Sequence, residues 1–241
     1  MRLSMNVLMH RSPVIPVVTL EAADNAAALA RALLAGGVSV IELTLRTPAA
    51  LEAIAVIARD VPAMAVGAGT VTTAEQVQAA CDAGAGFLVS PGYADAIVAA
   101  AERADRPLLP GVATATEVMR AQADGFDHVK FFPAVPSGGI GALKALAGPF
   151  PSLRFCPTGG VHSGNYLDFL QLTNVPCVGG SWLTPADAIE AADWAHIETL
   201  ARGVVAAHRS EILPVAGDAH GDGWQSSVGE EDPGSALEAL R

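Results

Sequence analysis

Lysine is the scarcest charge in this 241-residue chain, present only at positions 130 and 144, and acids outnumber Lys plus Arg by 25 to 14. The formal net charge of −11 excludes nucleic acid and anionic membrane as main partners, because such a surface repels phosphate. Cysteine is equally sparse. Cys81, Cys156 and Cys177 are odd in number and widely spaced, and they form no CxxC pair. The six histidines make no HExxH. A disulfide framework and a zinc site are therefore excluded, and the thiols read as buried and reduced in a cytoplasmic protein. Long apolar runs are missing too, despite a mean hydropathy of +0.38. The longest stretch without Asp, Glu, Lys or Arg, 169–186, is broken by Gln171, Asn174, Pro176 and Pro185, so it is no spanning helix. Val7-Leu8-Met9 is too short for a secretory core.

What is present is a globular composition, 51% hydrophobic and 16% charged. A domain of this size buries roughly 70% of the surface its unfolded chain exposes. Short β-branched or apolar runs alternate with Ala-rich stretches. The strand candidates are Val14–Val18, Val38–Leu43, Ala63–Val66, Phe87–Val89, Leu108–Leu109, His128–Phe132, Arg154–Cys156 and Pro176–Val178. Thr73-Ala-Glu-Gln76 and Thr114-Ala-Thr-Glu117 fit the capping box, and Thr47-Pro48 and Thr184-Pro185 place a cap hydroxyl before a first-turn proline. Gly36-Gly37, Gly84 and Gly125 close helices before the next strand. Eight strand–helix units predict a (β/α)8 (TIM) barrel over residues 1–208, with an open doubly wound sheet as the alternative. Residues 209–241 read as a disordered acidic tail, since 211–241 alone hold seven acids against Arg241.

Lys130 interrupts the strand-like run Val129-Lys130-Phe131-Phe132, where a charge is expensive to bury, whereas Lys144 lies on an Ala/Leu helix face. Alternation puts His128, Lys130 and Phe132 on one face. An ordinary lysine is neutral in only about 0.04% of molecules at pH 7, and desolvation that lowers its pKa by about three units multiplies that fraction about a thousandfold. Such an amine suits Schiff-base chemistry. A structural lysine paired with a core carboxylate is the competing explanation. Glu42 sits among Val, Ile and Leu on a strand face shared with Thr44 and Arg46. It reads either as a desolvated proton shuttle or as the simple partner of Arg46. Glycine clusters at 67–69, 92, 159–160 and 179–180 follow strands three, four, seven and eight. The last two match the phosphate position of such barrels, while tight turns account for glycine equally well.

Taken in order, Glu42-Leu-Thr-Leu-Arg-Thr47, Gly67-Ala-Gly-Thr-Val71, Ser90-Pro-Gly92, Leu109-Pro-Gly111, Lys130-Phe-Phe-Pro-Ala134, Gly148-Pro-Phe150, Arg154-Phe-Cys-Pro-Thr-Gly-Gly160 and Gly179-Gly-Ser-Trp182 make a specific set. From about Pro13 to His208 the chain closely resembles the bacterial class I 2-dehydro-3-deoxy-phosphogluconate (KDPG)/4-hydroxy-2-oxoglutarate (KHG) aldolases. The resemblance implies a homotrimeric barrel that needs no metal or other cofactor and acts on phosphorylated 2-keto-3-deoxy sugar acids. It puts the Schiff-base lysine on Lys130 and the proton-transferring glutamate on Glu42. It puts the pyruvate carboxylate against Arg46 and Thr70, lines the pocket with Pro91 and Phe132, and sets Thr158 beside the keto acid. Gly159, Gly160, Gly180 and Ser181 become the phosphate site. Val135, followed by Pro136, departs from the pattern, which often has an acidic residue there. Two rival functions follow from the residues: a phosphate-binding barrel that isomerises or condenses without an imine, and an idle barrel that only binds a sugar-acid phosphate.

Overall fold

The computed structural model describes residues 4–211. The strands are β1 (Val14–Val18), β2 (Val40–Thr44), β3 (Ala65–Gly69), β4 (Phe87–Val89), β5 (Leu108–Leu109), β6 (Gly111–Val112), β7 (His128–Phe131), β8 (Arg154–Pro157) and β9 (Val178–Gly180). Between them run α1 (Met5–Met9), α2 (Ala26–Ala35), α3 (Ala50–Asp60), α4 (Ala74–Asp82), α5 (Asp95–Arg103), α6 (Ala115–Ala123), α7 (Gly139–Ala147), α8 (Tyr166–Leu170), α9 (Ala186–Glu190) and α10 (Trp194–Glu211). All strand pairs are parallel, in the order β5-β4-β3-β2-β1-β9 and, separately, β6-β7-β8. The result is an α/β fold around a curled parallel sheet.

Two sequence features shape the curl. Pro110 has no N–H to give the ladder, so the run expected at Leu108–Leu109 resumes as β6 one residue later. The Pro110 carbonyl still accepts the Lys130 N–H at 2.9 Å, which carries the pairing past the break. On the other side a single parallel bridge, Thr158 to Gly179, links the ends of β8 and β9.

Strand alternation separates two apolar layers. Outward side chains such as Ile41, Val66, Leu88, Phe131 and Val178 meet the helix stripes of Leu29, Ile54, Val77, Val118 and Ile197. Phe131 and Phe155 meet edge to face there, with centroids 6.3 Å apart. Inward residues Ile15, Val40, Ala65, Phe87, Val89, Leu109, Cys156 and Cys177 form the second layer. Leu8 and Met9 of α1 join it and are fully buried, so this helix floors the inner face near the strand N-termini. The helix α1 was not foreseen: five residues carry too little periodicity, although Ser4 does cap it by accepting the Val7 N–H.

Helix ends follow the expected chemistry in part. Both capping boxes form, Thr73 with Gln76 and Thr114 with Glu117. The two Thr-Pro caps do not. Thr47 donates instead to the Leu20 carbonyl at 2.5 Å, and α3 begins at Ala50 with no side-chain cap. Thr184 turns back to the Ser181 carbonyl, and Pro185 occupies the cap position of α9. In both places the hydroxyl finds a nearer loop carbonyl. Gly36 permits the close crossing of α2 and α10, since a Cβ there would lie 2.4 Å from Ala201 Cβ. α10 runs to Glu211, three residues into the segment expected as a tail, and 212–241 lie outside the described residues. Among the described residues no helix is long and apolar enough to cross a membrane.

Candidate active site

β2 and β7 are not neighbours in either strand order, yet their inward side chains meet. Lys130 Nζ donates to Glu42 Oε1 at 3.2 Å, with the two side chains 6% and 4% exposed. The pair therefore crosses the interior above the apolar floor. A buried ion pair recovers its desolvation cost poorly, so stability alone does not explain placing it there. Glu42 is the carboxylate that pairs with Lys130, and thus both explanations of the lysine converge on one dyad. Arg46, the partner Glu42 was weighed against, reaches Thr70 instead, with Nε 3.2 Å from Oγ1.

Bare backbone on β3 makes room for the pair. Gly67 and Gly69 lie within the strand rather than after it, which corrects their reading as a loop cluster. A Cβ on Gly69 would stand 2.1 Å from Glu42 Oε1, and one on Gly67 would strike the Phe87 ring at 2.4 Å. Their role is steric: one admits the carboxylate and the other the aromatic floor. Gly179 and Gly180 also belong to a strand, β9, and not to the loop beyond it. The Thr158 hydroxyl and the Trp182 ring occupy the space their Cβ atoms would take.

The remaining candidates gather at the carboxyl ends of the strands. Thr70 holds a left-handed φ of 57°, a conformation that side chains rarely adopt, and it presents its hydroxyl to Arg46. Pro91 packs its carbonyl against Gly111, where a Cβ would approach to 2.3 Å. Phe132 sits two residues beyond Lys130, whose Nζ lies 5.3 Å from the ring centroid in a cation–π arrangement. Thr158 is buried, with its hydroxyl directed to the Cys156 carbonyl at 3.4 Å. Gly159 and Gly160 turn the chain with φ of 95° and 80°, beneath Phe132 and Val135 respectively. Ser181 is exposed at the rim.

One neighbour escaped notice in the sequence. Thr19, just past β1, shares a 2.8 Å hydroxyl contact with Thr44, which is buried. Only the β1–β2 register, Val17 to Glu42 and Val18 to Leu43, reveals that pairing. Cys156 and Cys177 lie in the floor with sulfurs 3.7 Å apart, as buried thiols. Burial, then the Cys156 contact, pushes the Cys177 thiol well above its ordinary range. Cys81 is only half-buried, unlike the expectation for all three. A surface depression lined by Val98, Glu102, Arg106 and Phe126 on the outer side contains none of the candidate residues.

Three comparisons bear on this arrangement. The family model described as KDPG and KHG aldolase matches residues 5–200. A 2-dehydro-3-deoxy-phosphogluconate aldolase from Pseudoalteromonas atlantica is 47% identical over 205 residues, 85% of this chain and 95% of that protein. Among solved structures, the KDPG aldolase of Legionella pneumophila, with pyruvate captured at low pH as a covalent carbinolamine intermediate, superposes with a TM-score of 0.81 at 45% identity. It covers 83% of this chain and 97% of its own. The 2-keto-3-deoxy-6-phosphogluconate aldolase of Zymomonas mobilis with 3-phosphoglycerate gives 0.79 at 44% identity, covering 83% and 94%.

Proposed function

The chain belongs to the KDPG and KHG aldolase family, and from that membership we propose that it is a class I lyase cleaving 2-dehydro-3-deoxy-6-phosphogluconate to pyruvate and glyceraldehyde 3-phosphate. It also cleaves 4-hydroxy-2-oxoglutarate to pyruvate and glyoxylate. The observation that carries the reading is the enclosed Lys130–Glu42 pair, which puts an amine and a carboxylate 3.2 Å apart above a dry floor. A barrel that isomerises, or one that merely binds, has no need of a nucleophile held beside a proton acceptor.

The chemistry runs as follows. Glu42 takes a proton from the Lys130 ammonium, and the free amine adds to the substrate's carbon 2. Glu42 gives that proton back to the former ketone oxygen, which leaves as water, so that a protonated imine and an ionised Glu42 remain. Glu42, through a bound water, accepts the proton of the 4-hydroxyl. The bond between carbons 3 and 4 breaks, its electron pair neutralises the imine as an enamine, and the aldehyde departs. Glu42 returns its proton to carbon 3, and water hydrolyses the imine to free pyruvate and the lysine. Proton transfer of this kind contributes about 10²–10⁴-fold. The imine is the larger effect, because it replaces a carbanion with a neutral enamine.

Arg46 and Thr70 receive the keto acid's carboxylate, Pro91 and Phe132 wall the pocket, and Thr158 stands beside the bound keto acid. Gly159, Gly160, Gly180 and Ser181 hold the phosphate. The strands close into a (β/α)8 ring over 1–208, supported by the Thr158–Gly179 bridge and by the bond from Lys130 N–H to Pro110. The assembly is a cytoplasmic homotrimer. The test is borohydride reduction in the presence of pyruvate, followed by peptide mapping. A stable adduct on Lys130 is the expected outcome. An unmodified Lys130 overturns the reading in favour of the imine-free barrel.

A further inference from the structure

Asn165 stands at the N-terminal cap of α8, where a short polar side chain ordinarily accepts a helix N–H, yet it makes no such bond. Its side chain turns back into the loop after β8 instead. Oδ1 accepts the His162 N–H at 2.8 Å, and Nδ2 donates to the Gly160 carbonyl at 3.1 Å. The His162 N–H can only donate, so it fixes which end of the amide meets it and leaves the other end to Gly160. The preceding carbonyl is held as well, because Gly159 accepts the Val135 N–H at 3.0 Å from the turn after β7. Gly160 is therefore clamped at both of its peptide planes. It is exposed, with a φ of 80°, and an unclamped glycine reorients its peptide groups at little cost.

A backbone anion site needs N–H groups turned toward the ligand and carbonyls turned away. In a trans peptide the C=O and the following N–H point in opposite directions. With its carbonyl on Val135, the Gly159–Gly160 peptide therefore aims the Gly160 N–H away from the β7 side. The next carbonyl, that of Gly160, is the group that would spoil the site if it swung round, and Asn165 is what holds it. We propose that Asn165 is a positioning residue for the substrate's phosphate, keeping the Gly160 carbonyl off the anion. The inference rests on the reading that the phosphate lies at Gly159–Gly160. A phosphate carries about two negative charges at neutral pH, so a carbonyl dipole turned toward it repels it strongly. Losing one hydrogen bond to a charged group weakens binding by about tenfold or more. 4-Hydroxy-2-oxoglutarate carries no phosphate and serves as the control.

The experiment compares Asn165→Ala and Asn165→Asp with the wild type in a coupled pyruvate assay on both substrates. The aspartate keeps the acceptor for the His162 N–H and loses only the donor to Gly160, so it preserves the loop if the alanine variant fails to fold. All three enzymes are assayed at the same raised salt concentration, which screens the new charge. The readout is the ratio of kcat/KM for the phosphorylated substrate to that for 4-hydroxy-2-oxoglutarate. The expected result is a fall of about tenfold in both variants. A wild-type ratio in Asn165→Asp overturns the proposal, because the bond to His162 would then suffice. Equal losses on both substrates overturn it too, because the residue would then serve the fold and not the phosphate. Borohydride trapping of pyruvate on each enzyme separates the two claims. Intact trapping with an unchanged ratio sinks only the role of Asn165. Absence of trapping in the wild type sinks the aldolase reading and this inference with it.

Discussion

The inner face of the sheet has two ends that obey opposite rules. Near the strand N-termini it is a hydrocarbon floor of Leu8, Met9, Ile15, Val40 and Phe87. Two residues further along β2 the same alternation delivers Glu42, and Lys130 meets it from β7. Beyond that layer come hydroxyls and glycines: Thr44, Thr158, Gly159 and Gly160. The floor lowers the free energy of folding, roughly 25 cal/mol for each Å² of apolar surface removed from water. The layer above it is expensive to bury, and on the proposed function its return lies in chemistry. Floor and site are nonetheless one device, since excluding water from below strengthens the electrostatics between the amine and the carboxylate.

Substitutions that act on one end and spare the other test this contrast. The largest effect is expected from Lys130→Ala, which should reduce pyruvate release to the background rate while circular dichroism stays native; residual aldol cleavage would remove the lysine from its role. Glu42→Gln comes next, with a fall in kcat of about 10²–10⁴-fold and continued adduct formation with pyruvate and borohydride. Near wild-type turnover would transfer the shuttle to another group. Leu8→Ala, at the floor, should cost about 2–5 kcal/mol in denaturant melts while the variant that remains folded keeps its kcat. Replacing both charges, with Lys130→Met and Glu42→Leu together, should leave stability equal to the wild type or raise it by about 1–4 kcal/mol, although the enzyme is dead. A marked destabilisation there would mean the pair has a structural purpose after all.

The smallest effect belongs to the outer shell and should leave both ends of the inner face untouched. The Glu117 carboxylate is partly desolvated, which works to raise its pKa, but hydrogen bonds from the Ala113 N–H and from the Thr114 hydroxyl and N–H prevail and hold it below the usual carboxylate range. A lowered folded-state pKa contributes stability that is present above the unfolded value, about 4.3, and is lost as pH falls through the folded value. Thr114→Ala should therefore cost about 1 kcal/mol at neutral pH. The gap between wild type and Glu117→Gln should narrow on acidification below pH 4; a constant gap would mean that the ionised form has no special partner.

Much of the fold was legible along the chain. Local signals such as the capping boxes at Thr73 and Thr114 and the strands at Val14–Val18 and Phe87–Val89 depend on neighbours within a few residues, and these agree with the structure. Failures arose where distant backbone competed. Thr47 abandoned its helix for Leu20, and β3 ran through Gly67 and Gly69 although glycine weakens strands, because Phe87 and Glu42 need the space. The five-residue α1 carries too short a pattern to be seen, and its stability comes from burying Leu8 and Met9.

Composition and periodicity by themselves determined that this is an α/β chain with a misplaced-looking lysine and glutamate on strands, since alternation and desolvation are properties of a few adjacent residues. They were silent on who meets whom. That Glu42 pairs with Lys130 rather than with Arg46, four residues away, was decided by the curl of the sheet, which brings together strands 88 residues apart. The physical reason is that a strand fixes which face a side chain takes, while only the curl of the sheet sets what lies across that face.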